Sequence, residues 1–156
     1  MYITVRDAVI AAYLADSSIT GDLGILGGAA AVHSHPRGAA RHYNDGETPA
    51  IGVACSSVGG HTPHTMRSYI SPYSVYTECV VYGGDPEVAE DAALAIMSKV
   101  IARIETENLD NKLGDRTTFV GLSLTGGDTI RIGLGDTGYK IVSFITCEVR
   151  TVSRYA

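Results

Sequence analysis

The segment His33-Ser34-His35-Pro36 places two imidazoles two residues apart. Side chains alternate along a strand, so His33 and His35 would point to the same side and could share a metal ion. A metal held there could activate water for hydrolysis, but that chemistry also needs a third ligand and a general base. Three further histidines, His42, His61 and His64, are the candidates to complete a metal site without catalysis. The ordinary alternative is that all five are solvated loop histidines.

The same four letters occur in JAMM-type metalloproteases, which also use an upstream Glu as base and a Ser and an Asp at fixed positions after the histidine pair. Here no Glu precedes His33, Tyr43 stands at the Ser position and Gly46 at the Asp position. Asp45 is one residue away, which on a strand turns a side chain to the opposite face. A metal-dependent hydrolase using His33 and His35 is therefore an alternative and not the expectation. Ser56-Ser57 lacks a Gly-x-Ser-x-Gly elbow. The glycines of residues 24–28 and of Gly126-Gly127 lack both the phosphate cradle and the dinucleotide fingerprint, and read as turns. No catalytic, cofactor-binding or metal-ligating residue is assigned, no cofactor is called for, and the chain is expected not to be an enzyme.

The frame that must position these residues is one domain spanning residues 1–156, a length at which 45% hydrophobic residues suffice for a core without metals or staples. Eighteen glycines and no tryptophan favour many turns and short strands. A formal charge of -5 disfavours a broad electrostatic grip on nucleic acid, yet a passive conduit for DNA tolerates an acidic wall. Cys55, Cys79 and Cys147 are odd in number and lie in apolar, strand-like stretches, as buried free thiols of a reducing cytoplasm do. No stretch is long and apolar enough to span a bilayer and no leader is evident, so a soluble intracellular product with no membrane partner is expected.

Along the chain, Thr4 and Asp7 form a capping-box-like start, and Val5, Val9, Ala12 and Tyr13 recur at helical spacing, predicting a helix over residues 4–15. A second short helical turn follows Asp16. Residues 29–35 and 49–57 read as strands, and 37–47 and 59–72 as long loops. Residues 73–82 alternate, with Tyr73, Val75, Thr77, Cys79 and Val81 on one face and Ser74, Tyr76, Glu78, Val80 and Tyr82 on the other. Asp85 as N-cap and Pro86 at the first helical position open a helix to about Glu107, whose stripe is Ala89, Ala93, Ile96, Met97, Val100, Ile101 and Ile104. Three strand-like segments follow, 119–124, 129–134 and 139–151, with residues 125–128 and 135–138 as hairpin-type turns. The fold class is α+β: a mixed or antiparallel sheet packed against an N-terminal helix and one long helix, ending in a hairpin or meander. Nine tyrosines, four of them at 69, 73, 76 and 82, fit either an interface or plain strand propensity.

The helix over Asp7-Ala8-Val9-Ile10-Ala11-Ala12-Tyr13-Leu14-Ala15-Asp16, the strand Thr48-Pro49-Ala50-Ile51-Gly52-Val53, the strand of residues 73–82 running into the helix of residues 85–107, and the ending Phe144-Ile145-Thr146-Cys147-Glu148-Val149-Arg150 follow an order and pattern that resembles the tail-terminator (tail-completion) proteins of tailed bacteriophages. The resemblance spans nearly the whole chain. It implies a virion structural protein without enzyme activity, assembled in the bacterial host cytoplasm, whose copies form a ring, typically a hexamer, at the tail-neck junction. That ring would cap the tail tube protein, face the head-completion or neck protein, and let DNA pass through its lumen without sequence-specific binding. Neck and head-tail connector proteins at neighbouring stations are of similar size and shape. The His- and Pro-containing segment 59–72 departs from the family's usual pattern. Residues 37–47, 59–72 and 124–137 are the segments expected to meet partners, because loops on a rigid scaffold carry recognition.

Overall fold

The computed structural model describes residues 1–34, 43–44, 46–110, 119–134 and 138–154, with the side chains of 108–110 and 119–120 left aside. Helix α1, Tyr2–Leu14, buries Val5, Val9, Ala12 and Tyr13, the four residues whose spacing predicts one apolar face. It begins two residues before the expected start, at an N-cap, Met1, that makes no side-chain cap bond, so the capping box of Thr4 and Asp7 does not form. The extra residues are held from outside the helix: the Tyr2 ring meets Tyr73 edge-on at 5.3 Å. The short helix α2, Ser17–Thr20, is capped by Asp16, which accepts from the Ser18 amide at 3.0 Å.

Strands β1, Ile25–Leu26, and β2, Ala29–Ala30, form a small hairpin. Both turn residues, Gly27 at φ 63° and Gly28 at φ 83°, are left-handed, as a two-residue turn matched to strand twist requires. Strand β3, Val32–His33, then runs parallel to β4, Ala50–Val58. The remaining strands are β5, Thr62–Thr65, β6, Ser68–Gly83, β7, Phe119–Gly133, and β8, Tyr139–Arg154. The main sheet has the order β3-β4-β6-β8-β7, with β5 beside β6 beyond the end of β4, and all pairings except β3/β4 are antiparallel. The expected α+β class holds: one mixed sheet carries the N-terminal helix and one long helix, α3, Pro86–Asp110.

The start of α3 is built as its sequence prescribes, with Asp85 Oδ1 accepting from the amides of Glu87 at 2.9 Å and Val88 at 3.3 Å. Its stripe of Ala89, Ala93, Ile96, Met97, Val100 and Ile104 is buried against the sheet face formed by Val75, Cys79, Val81, Ile141, Ile145, Cys147 and Val149. Helix α1 covers the same face, and its buried Tyr13 hydroxyl meets Thr77 Oγ1 at 3.0 Å. The three cysteines are free thiols; Cys55 and Cys147 flank Val75 from the two neighbouring strands and so lie two strand spacings apart, beyond disulfide reach. The opposite face is covered in part by a smaller cluster of Ala31, Tyr43, Ala50, Val80 and Val142.

Two further expectations fail. Residues 125–128 are no hairpin turn: residues 119–133 form one strand, β7, with register shifts at 119/121 and 124/126. Gly126 and Gly127 are not in left-handed conformations. A Cβ at Gly127 would stand 2.8 Å from the Phe144 carbonyl oxygen and 3.0 Å from Ile145 Cγ2, so this glycine permits close approach to β8 instead of a reversal. Residues 59–72 are likewise no long loop. They hold β5, the turn at Met66-Arg67 and the first residues of β6, whose pairing with β8 runs without a shift from Ser68↔Arg154 to Gly83↔Tyr139. Beyond the last β7–β8 pair the Leu134 amide donates to the Gly138 carbonyl at 2.9 Å, and residues 135–137 of the expected second turn lie outside the described residues.

Candidate functional site

His33 sits on β3 opposite Gly52, half-buried, and its Nε2 is 2.9 Å from the Tyr43 hydroxyl. His35, His42 and Asp45 lie outside the described residues. His61 and His64 belong to the other end of the sheet: Gly52 pairs with Glu78 on β6, whereas Thr62 pairs with Ile70. Eight residues of β6 separate those positions, about 27 Å at the usual strand rise. His61 is occupied locally, with Nδ1 at 2.7 Å from Ser71 Oγ and its ring 4.6 Å from that of Tyr69. The chain thus keeps His61 and His64 away from His33, and among the described residues no three His, Cys, Asp or Glu side chains converge as a metal site.

What His33 joins is a polar and aromatic layer on the sheet face that the helices leave uncovered. The Tyr43 amide donates to the Tyr82 hydroxyl at 3.1 Å, and the two rings meet edge-on at 5.9 Å. The Lys140 ammonium lies 5.8 Å from the centre of the Tyr82 ring. Further along β6, the Tyr76 hydroxyl donates to Glu78 Oε2 at 3.3 Å, and the Tyr76 ring packs on Phe144 at 5.4 Å. Glu78 and Lys140 are only 1% and 2% exposed, unusual for charged side chains. Burial, then the neighbouring Glu78 charge, pushes the Tyr76 phenol up to about 12. Burial lowers the Lys140 ammonium, and the Glu78 charge opposes that shift.

Sequence alternation had placed Tyr76, Glu78 and Tyr82 on this face together; Tyr43 and Lys140 were missed. Lys140 joins them through the register of β8, where residues 140, 142 and 144 stand opposite 82, 80 and 78. The four clustered tyrosines part company: Tyr73 packs under α1, Tyr76 and Tyr82 belong to the polar layer, and Tyr69 meets the His61 ring.

A second feature lies on the helix side, where α3 passes the outermost strand. An open groove of about 310 Å³ there is lined by Leu94, Met97, Ser98 and Ile101 of α3 and by Leu124, Gly126, Gly127, Asp128 and Thr129 of β7, with Ser143–Ile145 as its floor. Leu94 and Leu124 are 43% and 42% exposed at its mouth. Of the segments expected to meet partners, most of 124–137 is therefore edge strand beside this groove, and 59–72 is a projecting hairpin whose turn residue Met66 is 99% exposed. Within 37–47, only Tyr43, Asn44, Gly46 and Glu47 are described.

No protein-family model and no curated protein matches the chain. The fold recurs in a virion. A chain of the virion of a native gene transfer agent (GTA) particle shares it with a TM-score of 0.60, over 95% of this chain and 94% of that one, at 14% identity. Sequence identity this low makes the likeness one of architecture. It covers nearly the whole of both chains.

Proposed function

We propose that this chain is a structural protein of a phage-like virion, without catalytic activity, whose copies form a homohexameric ring closing the end of the tail tube and facing the head-completion proteins. The observation that carries the reading is the end-to-end likeness to a chain of a GTA virion. The order of elements that resembles the tail terminators supports it independently. An exposed edge strand at one side of the sheet and a projecting hairpin at the other are the unlike surfaces that a head-to-tail ring needs. The formal charge of -5 suits a lumen that DNA crosses without being gripped.

A neighbouring neck station is the second reading, and loss of the gene separates the two. A terminator's absence leaves tubes of uncontrolled length lacking heads, visible by negative-stain microscopy. Tails of normal length that fail to join filled heads would instead assign the chain to the head side of the neck. Normal infectious or transducing particles would overturn both. For the hydrolase alternative, no group of three His, Cys, Asp or Glu side chains stands around His33 among the described residues, and its Nε2 meets Tyr43.

A further inference from the structure

We infer that the tip of the β5–β6 hairpin docks on the outward face of α3 in a second copy of this chain, with Arg67 and Arg154 against Glu87 and Asp91 and with Met66 beside Leu94. This deepens the ring reading above and rests on it. The distribution of paired and unpaired charge supports it. Among the described residues, every Lys or Arg at the surface is in an ion pair with a carboxylate except Arg67 and Arg154. Those two are neighbours: Arg154 stands opposite Ser68, the residue after Arg67, across strands about 5 Å apart.

The carboxylates complete the match. Among the described residues, Glu87, Asp91 and Glu105 are the exposed ones whose side chains accept no hydrogen bond and join no ion pair. At about 3.6 residues per turn all three lie on one side of α3, opposite its buried stripe. Glu87 and Asp91 are one turn apart, about 5.4 Å along the axis, close to the spacing of the two arginines. Val88 and Leu94 are the large apolar residues that α3 leaves in solvent, and they flank Asp91. Met66, exposed beside Arg67, is an adaptable thioether that can cover them.

Neither surface can reach the other within one copy. Strand β6 runs from Ser68 at the tip to Gly83, just before α3, about 50 Å at the usual strand rise. Cations lacking carboxylates and carboxylates lacking cations therefore meet between copies. The contact is head-to-tail: each copy gives one tip and receives one, and the series ends only by closing. Exposed complementary charges set register and choice of partner more than raw affinity. The contact is an anchor within a larger interface, since stable interfaces bury about 800 Å² per partner.

The test uses the full chain at rising concentration in sedimentation velocity, with thermal melting as the folding control. Arg67→Glu with Arg154→Glu reverses the tip, and Glu87→Arg with Asp91→Arg reverses the helix face. Each reversed chain alone should need about tenfold more protein to assemble than the parent. An equimolar mixture of the two should assemble as the parent does, because each reversed surface finds its complement on the other chain. A carboxylate in the first turn also stabilises a helix, so if the Glu87 change lowers the melting temperature, Asp91→Arg alone serves as the helix variant. Reversed chains that assemble as the parent does overturn the contact, assign the arginine pair to another virion protein or to DNA, and leave the ring reading standing. Reversed chains that fail alone and fail together, while melting as the parent does, overturn the pairing of these two surfaces. A parent chain that stays monomeric at every concentration overturns the contact and the ring together.

Discussion

Gly126 and Gly127 are adjacent, equally glycine and expected to respond to alanine in opposite ways. A methyl group at Gly127 would lie 2.8 Å from the Phe144 carbonyl oxygen and 3.0 Å from Ile145 Cγ2. The first of these is main chain of the neighbouring strand, so the clash is relieved only by moving β7 away from β8. Overpacking of this kind costs about 1–3 kcal/mol. At Gly126 the nearest atom to an added Cβ is Thr146 Oγ1 at 3.7 Å, an ordinary contact, and the backbone is not left-handed. Gly126→Ala should therefore be neutral or stabilise by up to about 1 kcal/mol, through the reduced freedom of the unfolded chain. In a domain of this size one kcal/mol moves Tm by about 2–4 °C. Gly127→Ala should lower Tm by about 2–12 °C while Gly126→Ala leaves it or raises it slightly, read by circular dichroism and checked by urea titration. Equal tolerance at both positions would refute the close approach of Gly127 to β8, whereas equal losses at both would point to a reversing turn at residues 125–128, and the assignment of β7 as one strand would fall.

Three further outcomes follow from local chemistry. Asp85→Ala removes the acceptor for two α3 amides and should destabilise by about 1 kcal/mol in urea titration, with Asp85→Asn nearly neutral. Tyr13→Phe leaves the buried Thr77 hydroxyl without its partner and should destabilise by about 1–2 kcal/mol. Adding Thr77→Val should recover part of that loss, giving a measurable coupling in a double-mutant cycle. Burial is the main reason that the thiols of Cys79 and Cys147 are pushed up to about 12 from an ordinary 9.0. The folded chain thus keeps protons that the unfolded chain releases, so stability present below about pH 9 falls as pH rises toward 12. Alkaline denaturation should show this loss, and a thiol reagent at pH 8 should modify Cys55 far faster than the other two.

How much the sequence disclosed depended on whether the deciding interaction was local. Asp85-Pro86 followed by a seven-residue apolar stripe fixes α3, because capping amides and stripe both lie within the segment. Alternation places Val75, Cys79 and Val81 correctly against the helices for the same reason. The glycine pair of β7 defeats local reading, since a glycine that permits reversal and one that permits close approach have the same letter. Which role applies is set by Phe144 and Ile145 on another strand. The hairpin in residues 59–72 was hidden because its His, Pro and Gly content signals loop, while its second strand is held by pairing with a distant β8 and carries β5 on its other edge. The contact between His33 and Tyr43 joins a strand to a loop residue, and no spacing rule yields it. Half of the polar layer was visible through the parity of β6, and the half on β8 needed the register.

The unbroken ladder between β6 and β8 also governs the order in which the chain can reach its native state. Its pairs run from Gly83↔Tyr139 outward to Ser68↔Arg154, so every one of them closes a loop that contains α3 and β7. Neighbouring strands such as β5/β6 and β7/β8 can zip from their own turns, but the central seam of the sheet cannot. It must wait for two preassembled halves to dock, a route that nonlocal strand pairing makes slow. On the ribosome, β6 is synthesised long before β8, and one of its edges stays unpaired through the making of α3 and β7. Newly made chains at high local concentration are most exposed to wrong partners during that interval. The yield of soluble protein should therefore be more sensitive to expression rate and temperature than the stability of the finished fold would indicate.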